Sequence, residues 1–218
     1  MDVREAICEV GRILYEKEYV AANDGNITVL MEDGTVWATP AGVSKGSMTP
    51  DMLVRVDREG NVLEGTRKVS SEIYMHLRVY NERPDVRSVV HAHPITATGF
   101  AVAGVPLDKN TLPEQIIYMG AVPIVEYGTP STDEIPNALS NYLQRYDAFL
   151  LENHGVLTVG ESLQNAYYKM ERIENCARVS LVARLLGGEK ELPDFQIAKL
   201  LDVRKKFGAK GKHPLIDK

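Results

Sequence analysis

Cysteine and long apolar runs are both scarce in this chain of 218 residues. Its two cysteines, Cys8 and Cys176, lie far apart in helical patterns and form no CxxC motif, so we expect reduced core thiols, with a disulfide or a reactive thiol as the alternatives. No apolar run approaches the roughly 20 residues that cross a bilayer. The first residues carry acids and no apolar segment, so no signal peptide is expected either. These absences predict a cytoplasmic protein with no membrane partner.

The chain also lacks an excess of positive charge, any internal repeat and any low-complexity linker. Its formal net charge is −5, which argues against nucleic acid as a partner. With 44% hydrophobic residues, it can bury a core without disulfides. No break in composition divides it, so we predict a single domain over residues 1–218, with residues 209–218 as a loose tail.

Hydrophobic periodicity and turn residues predict an α/β protein. Short apolar segments separated by tight turns indicate a mostly antiparallel or mixed sheet, which helices at the start, middle and end of the chain would cover. The predicted strands cover residues 27–31, 35–39, 52–56, 62–64, 86–90, 122–125, 148–151 and 155–159. The predicted helices cover residues 2–19, 70–81, 133–145, 163–186 and 195–206, and one more begins at Pro94.

Histidine is rare as well, with five in the chain, and two of them form the pair His91-Ala92-His93 at the end of a predicted strand. Side chains two residues apart on a strand point to the same face of a sheet. Packing gives little reason for two imidazoles there, whereas a third nitrogen ligand would complete a set that binds zinc and leaves a coordination position open. An open position is typical of a catalytic metal, so the pair predicts a metal enzyme.

His154, in Glu152-Asn153-His154-Gly155, follows another predicted strand and is the candidate for the third ligand. Taken alone, such a histidine is better explained as a hydrogen-bonded core residue, and only the pair His91 and His93 favours the metal. His76, inside a predicted helix, and His213, in the tail, are expected to be ordinary surface or helix-face residues.

Glu72 is the candidate for a catalytic carboxylate. It follows Ser70 and Ser71 at the predicted start of a helix, where free backbone N–H groups attract anions and the two hydroxyls add donors. An acid in the first turn is also common as a plain helix cap, and the local sequence alone favours that explanation.

Two turns have the composition of an anion-binding loop. Gly25-Asn26 leads into a predicted strand, and Thr39-Pro40-Ala41-Gly42-Val43-Ser44-Lys45-Gly46 follows one. Glycines let backbone amides approach an anion, and asparagine and serine side chains add donors. Neither turn is a Walker A or GxGxxG motif, so each turn by itself is weak evidence for a phosphate site.

Together, these segments resemble the class II aldolase and adducin family, of which the L-fuculose-1-phosphate aldolases are typical. The resemblance extends from the first helix to about Gly208. It rests on five motifs in the family's order, Gly25-Asn26-Ile27-Thr28-Val29, Thr39-Pro40-Ala41-Gly42, Ser70-Ser71-Glu72, His91-Ala92-His93 and Asn153-His154-Gly155. It implies the three-layer α/β/α class II aldolase fold with a central, largely antiparallel sheet. It also implies a homotetramer with fourfold symmetry, whose active sites lie between neighbouring subunits.

The same resemblance implies roles for individual residues. His91, His93 and His154 would bind one Zn²⁺ per subunit, and Glu72 would ligate it at rest and act as acid and base during turnover. Five positions would hold the phosphate of a small sugar substrate, namely Gly25, Asn26, Gly42, Ser70 and Ser71.

The implied reaction is the reversible cleavage of a ketose 1-phosphate to dihydroxyacetone phosphate and a small aldehyde through an enediolate. L-Fuculose 1-phosphate, which gives L-lactaldehyde, is the first expectation for the substrate. Zinc would act as a Lewis acid, and the phosphate contacts would fix the substrate against it. Glu72 favours this aldolase over ribulose-5-phosphate 4-epimerase, which carries aspartate at the matching position.

Other activities of similar chemistry stay open. They are a 5-deoxyribulose- or methylthioribulose-1-phosphate aldolase and methylthioribulose-1-phosphate dehydratase. A non-enzymatic scaffold like the adducin head domain is disfavoured, because all three histidines and Glu72 are present.

Two positions depart from the family pattern. Leu112 stands where the fuculose phosphate aldolases use a tyrosine from a neighbouring subunit, and Phe207 stands near a second tyrosine position. Tyr118 lies close to the first position and could supply a hydroxyl there if the loop register differs. The group that protonates the aldehyde oxygen is therefore open, with Tyr118 as the candidate.

Overall fold

A sheet of eight strands forms the centre of the structure, a computed structural model that describes residues 2–216. The strands are β1 (Asn26–Leu30), β2 (Val36–Ala38), β3 (Val54–Val56), β4 (Val62–Glu64), β5 (Ser88–Ala92), β6 (Ile124–Val125), β7 (Ala148–Leu151) and β8 (Gly155–Gly160). Their order across the sheet is β4-β3-β2-β1-β5-β8-β7-β6, and only β6 and β7 run parallel. The predicted, mostly antiparallel sheet is therefore confirmed.

Helices cover both faces of this sheet, which makes the three layers of the predicted α/β/α fold. The described helices are α1 (Val3–Glu16), α2 (Ile73–Glu82), α3 (Ile95–Val102), α4 (Pro113–Tyr118), α5 (Glu134–Ser140), α6 (Leu163–Leu185) and α7 (Asp194–Lys206). Helices α2 and α5 pack in one apolar core, and α1, α3 and α6 pack in the other. No helix within residues 2–216 is both long enough and apolar enough to cross a membrane.

Neighbouring residues of the inner strands fill the two cores alternately. In β5, Val89 joins the core under α2 and α5, whereas Val90 joins the core under α1, α3 and α6. In β7, Phe149 and Leu150 divide in the same way. Because helices cover both faces, every residue of β5, β7 and β8 is buried, and their sequences are mostly apolar rather than alternating.

Two helices differ from the sequence prediction by more than three residues. Helix α4 was not predicted, since six residues are too few to show a helical period. Helix α5 ends at Ser140 rather than at Arg145. The chain beyond it forms turns, and these direct two main-chain carbonyl oxygens, of Leu143 and Tyr146, to the Nη1 atom of Arg83 at 2.7 and 3.1 Å.

Part of the tail predicted to be loose contacts the rest of the fold, and positions 217–218 lie outside the described residues. His213, expected at the surface, is fully buried, with Nε2 2.6 Å from the carbonyl oxygen of Ile116. The guanidinium of Arg204 also donates to the carbonyl oxygens of Lys210 and Gly211, at 3.1 and 2.8 Å. Local sequence could not show these contacts, because their partners lie in α4 and α7.

Neither cysteine forms a disulfide, as predicted, whereas His76 is buried rather than at the surface. Cys176 is buried and Cys8 half-buried, and neither forms a disulfide. His76 is a helix-face residue but a fully buried one, with Nδ1 2.8 Å from Thr28 Oγ1.

Candidate active site

Three histidines meet at the ends of adjoining strands. His91 lies in β5, His93 follows this strand directly, and His154 lies in the turn between β7 and β8. That turn needs Asn153 at a φ of +53°, a left-handed conformation that asparagine tolerates better than most residues. Because β5 pairs with β8, the turn lies beside the histidine pair, and the three ring centroids are 4.7, 4.9 and 5.2 Å apart.

The ring nitrogens are arranged as metal ligands are. Each histidine offers one nitrogen, and the three lie within 4.8 Å of one another. His91 Nδ1 lies 2.9 Å from the carbonyl oxygen of Val156, which can only accept, so the proton belongs on Nδ1 and Nε2 keeps its lone pair. Burial lowers the pKa of both His91 and His93, which favours the neutral rings that a metal requires.

Glu72 faces these histidines instead of capping its helix. It is the residue before α2, yet its side chain makes no capping hydrogen bond there. Its Oε1 lies 3.2 Å from His154 Nε2, and its Oε2 lies 3.5 Å from His91 Nε2. Asn26 Nδ2 donates to Oε2 at 2.7 Å. The helix-cap explanation that local sequence favours is therefore wrong.

The charge state of Glu72 follows from these neighbours. Burial raises its pKa, but the neighbouring His91 and His154 and the hydrogen bond from Asn26 lower it by more. The net pKa lies well below the usual value for glutamate, so Glu72 is a carboxylate at neutral pH.

The residues present fit a bound metal ion. Among the described residues, Glu72 Oε1 and His154 Nδ1 are buried without a hydrogen bond of acceptable geometry. Ligand atoms about 2.0–2.1 Å from a tetrahedral zinc ion lie roughly 3.3 Å from one another. His91 Nε2 and His93 Nε2 are 3.0 Å apart. Three imidazole nitrogens beside a carboxylate are also the donor set of known catalytic and structural metal sites.

Two glycines make the close packing around the histidines possible. A Cβ atom on Gly155 would overlap Cδ2 of His93 and lie 2.8 Å from the carbonyl oxygen of Ala92. Gly25 has a φ of +74°, and a Cβ atom there would lie 2.8 Å from the carbonyl oxygen of His91. Any side chain at either position would therefore displace part of the site.

A cavity of about 280 Å³ opens beside the histidines and Glu72. His93, His154 and Glu72 line one part of it, while the fully buried His91 lies behind them. The lining also contains all five residues predicted to hold phosphate, namely Gly25, Asn26, Gly42, Ser70 and Ser71. The structure thus brings the predicted metal and phosphate residues together in one place.

Three further residues of the lining, Asp24, Lys45 and Ser131, were not predicted as site residues. Ser131 has a φ of +68°, and its Oγ donates to Ser71 Oγ at 2.7 Å. Asp24 Oδ2 lies 3.8 Å from His93 Nδ1. Lys45 is almost fully buried, which lowers its pKa to about 8. Lys45 belongs to the predicted anion-binding turn of residues 39–46, although no role was assigned to it. Nothing in the local sequence marks Ser131, which lies in a distant loop.

The structure does not bring Tyr118 to this cavity. Tyr118 ends α4 and packs against the core, with the guanidinium carbon of Arg172 4.0 Å from its ring centroid. It is not among the described residues that line the cavity, and neither are Leu112 and Phe207. Phe207 is 64% exposed at the end of α7.

Known proteins share this sequence and this fold. The profile of the Class II Aldolase and Adducin N-terminal domain matches residues 5–181. The L-fuculose phosphate aldolase of Methanococcus vannielii is 33% identical over 180 residues, which cover 83% of this chain and 96% of that protein. The 3-oxo-tetronate 4-phosphate decarboxylase of Escherichia coli O6:H1 is 33% identical over 185 residues, which cover 83% of this chain and 86% of that protein.

A solved structure of an L-fuculose 1-phosphate aldolase has a TM-score of 0.87 to this structure at 30% identity. The match covers 94% of this chain and 97% of that one. It confirms the class II aldolase fold that the five motifs predict. With the profile match over residues 5–181, these similarities show that the chain belongs to the class II aldolase and adducin family.

Proposed function

We propose that this protein is a zinc-dependent lyase that acts on a small phosphorylated sugar. The observation that carries the proposal is the Glu72 carboxylate, which faces His91 and His154 at the wall of a cavity lined by the phosphate turns. In a structural zinc site, protein side chains fill every ligand position, and no cavity for a substrate is needed. A site that binds substrate and moves a proton needs both the cavity and the carboxylate.

Each residue of the site has a part in this chemistry. His91, His93 and His154 would hold the metal, which when bound supplies Lewis-acid stabilisation of negative charge beside a carbonyl group. Glu72 would return a proton to the carbon left negative by bond cleavage, and would remove it in the reverse direction. The hydrogen bond from Asn26 to Oε2 holds the carboxylate so that Oε1 stays free for this transfer.

The five phosphate residues would position the substrate for this proton transfer. Gly25 and Gly42 bring backbone close to the ligand, because both have a positive φ. Asn26, Ser70 and Ser71 add side-chain donors. A phosphate held there would position the reacting carbon within reach of Glu72. Binding of the phosphate would thereby orient the substrate for proton transfer.

Aldol cleavage of a ketose 1-phosphate is the first candidate reaction, with L-fuculose 1-phosphate as substrate. Its support is the similarity to the aldolase of Methanococcus vannielii and to the solved aldolase structure. This reaction also needs a group that exchanges a proton with the aldehyde oxygen. We propose that Tyr118 of a neighbouring subunit fills this role, because the L-fuculose-1-phosphate aldolases that this chain resembles take such a tyrosine from a neighbouring subunit.

Decarboxylation of a 3-oxo acid phosphate is the second candidate, supported by the equally similar decarboxylase of Escherichia coli. Loss of CO₂ from 3-oxo-tetronate 4-phosphate leaves the enediolate of dihydroxyacetone phosphate, as aldol cleavage does. The departing CO₂ has no hydroxyl to deprotonate, so this reaction needs no tyrosine. Leu112 and Phe207, which replace the family's tyrosines and carry no hydroxyl, favour this candidate.

One experiment separates these activities. The zinc-loaded protein is incubated with L-fuculose 1-phosphate, with the 5-deoxyribulose and methylthioribulose 1-phosphates, and with 3-oxo-tetronate 4-phosphate. Dihydroxyacetone phosphate together with an aldehyde indicates the aldolase, the same product with CO₂ indicates the decarboxylase, and loss of water alone indicates a dehydratase. If no substrate of this panel reacts, the proposal is wrong.

We also propose that the protein is a homotetramer, with a second copy of the chain on its exposed apolar surface. This surface combines a groove of about 410 Å³ between α3 and α6 with large apolar side chains that are 41–82% exposed, namely Ile95, Val102, Val179, Leu181, Val182, Leu185 and Leu186. Light scattering during size-exclusion chromatography should give the mass of four chains. The mass of one chain would contradict this proposal.

A further inference from the structure

Lys45 is a buried lysine without a carboxylate partner. It begins a short 3-10 helix, Lys45–Ser47, and only 2% of its surface is exposed. Within residues 2–216, no carboxylate oxygen lies within the 4.0 Å of Nζ that would define an ion pair. Its two hydrogen-bond acceptors are neutral carbonyl oxygens. A buried ammonium group in this situation is costly, because a charge loses its hydration without gaining a counter-ion.

A second buried lysine among the described residues has its charge compensated by an acid. Lys169 is also 2% exposed, but its Nζ lies 2.7 Å from Asp147 Oδ2. Arg83 Nη2 donates to the other oxygen of Asp147 at 2.8 Å. The charge of Lys169 is therefore neutralised within the protein, and the charge of Lys45 is not.

The ammonium group of Lys45 lies between the two turns that are predicted to hold phosphate. Nζ donates to the carbonyl oxygen of Asn23 at 2.8 Å and to that of Val43 at 2.9 Å. Asn23 precedes the Gly25-Asn26 turn, and Val43 follows Gly42, so the ammonium group joins the two turns predicted to hold phosphate. An ammonium group has three N–H donors, and these two bonds leave the third available.

The charges around the cavity make this lysine the natural partner of an anion. Among the described lining residues, Lys45 is the one lysine or arginine, whereas Asp24 and Glu72 both carry negative charge. The serines, glycines and Asn26 can donate hydrogen bonds to a phosphate, but they cannot neutralise it. A phosphate monoester carries nearly two negative charges at neutral pH, which would repel both carboxylates.

We propose that Lys45 is the counter-ion of the substrate's phosphate, and that its charge makes the cavity selective for phosphorylated substrates. This inference rests on the proposed function, because the phosphate is that of the sugar substrate. By joining the Gly25-Asn26 turn to the Gly42 turn, Lys45 also holds the neutral donors of both turns around the same anion.

The test compares two ligands that differ only in the phosphate. Isothermal titration measures the affinity of the zinc-loaded protein for dihydroxyacetone phosphate, for dihydroxyacetone and for inorganic phosphate. The variants are Lys45→Met, which removes the charge and the donors, and Lys45→Gln, which removes the charge but keeps donors for the two carbonyl groups. Lys169→Met is the matched control, since it removes a lysine that is equally buried but lies outside the cavity.

Both Lys45 variants should bind dihydroxyacetone phosphate and inorganic phosphate about 10- to 100-fold more weakly, as expected for loss of a charge-assisted hydrogen bond. Their affinity for dihydroxyacetone should stay within about twofold, and Lys169→Met should retain all three affinities. If Lys45→Met does not fold, Lys45→Gln decides the question.

Three results would overturn the inference. One is unchanged phosphate affinity in the Lys45 variants. A second is an equal loss of affinity for dihydroxyacetone, which would indicate a purely structural lysine. The third is a wild-type protein that does not bind phosphate at all. In each case, release of dihydroxyacetone phosphate from the substrate panel tells independently whether the proposed function stands.

Discussion

Two buried polar clusters of this protein differ in how completely their atoms are satisfied. In the Asp147 cluster, formed by Arg83, Asp147 and Lys169, each charge meets an opposite charge, at 2.7 and 2.8 Å. In the site cluster, formed by Glu72, His91, His93 and His154, two buried polar atoms have no hydrogen-bond partner among the described residues.

This is the difference expected between a structural cluster and one that binds a ligand. Asp147 ties the end of α2 to α6, because Arg83 directly follows α2 and Lys169 lies within α6. Such a satisfied network stabilises one arrangement of the fold. Buried polar atoms without partners destabilise a fold unless a ligand bonds to them. The metal and substrate that the site cluster would bind account for its unpartnered atoms.

The largest effect is expected when Glu72 is changed to glutamine. Glu72→Gln keeps the shape of the side chain but removes its ability to accept a proton, so turnover should fall about 10²- to 10⁴-fold. Without metal, the free energy of unfolding should change little. The reason is that Glu72 has no buried ion pairs as short as those that Asp147 makes with Arg83 and Lys169. Product release assays measure the turnover, urea denaturation measures the free energy of unfolding, and elemental analysis should find most of the zinc still bound. An active Glu72→Gln protein would contradict the role assigned to this residue.

The matched change in the other cluster is Asp147→Asn. It leaves Arg83 and Lys169 buried without a negative charge between them, so the free energy of unfolding should fall by about 3–5 kcal/mol. Urea denaturation measures this loss. Catalysis by the folded fraction should be unchanged, because Asp147 does not line the cavity. If Asp147→Asn affected turnover and left stability intact, the distinction between the two clusters would fail.

Removal of the metal should have the next largest effect. A ligand at 100 times its dissociation constant stabilises a protein by about 2.7 kcal/mol, and a chelator should remove this contribution from the wild type. His93→Ala should bind no metal, so its thermal transition should not respond to chelator or to added zinc. Scanning calorimetry with and without chelator compares the two proteins. A His93→Ala protein that is stabilised by zinc as the wild type is would place the metal elsewhere.

The smallest effect is expected from Gly155→Ala. The added methyl group would overlap His93, so this ring must move and the affinity for zinc should fall about tenfold. Gly99→Ala is the control, because a Cβ atom there meets no atom within 4 Å. Competition with a chromophoric chelator measures both affinities. Equal affinities for zinc in the two variants would show that His93 does not need its present position.

Much of the site could be predicted because its chemistry is local in sequence. The two-residue period of β5 places His91 and His93 on one side, and short turns mark the Gly25 and Gly42 loops. The metal-binding and catalytic roles of these residues remain predictions that the experiments above test. The carboxylate of Glu72 was harder to assign, because its local sequence also suits a helix cap, and only tertiary contacts turn it toward the histidines.

The features that escaped prediction depend on partners distant in sequence. Lys45 becomes unusual only when its burial is known, and Ser131 reaches the cavity from a loop about 60 residues away from Ser71. The tail around His213 is fixed by a carbonyl oxygen of α4, a helix too short for its period to be recognised. Local sequence cannot predict these contacts, because each joins residues that only the folded chain brings together.

Proton exchange on dihydroxyacetone phosphate tests the central claim most directly. The zinc-loaded protein is mixed with this compound in D₂O, with no aldehyde present, and the hydroxymethyl protons are followed by NMR. We expect one of the two protons to be replaced stereospecifically by deuterium, and the exchange to disappear in Glu72→Gln and after chelation. Absence of exchange in the wild type, or exchange at the wild-type rate in Glu72→Gln, would contradict the account of Glu72 as the proton carrier of a metal-dependent lyase.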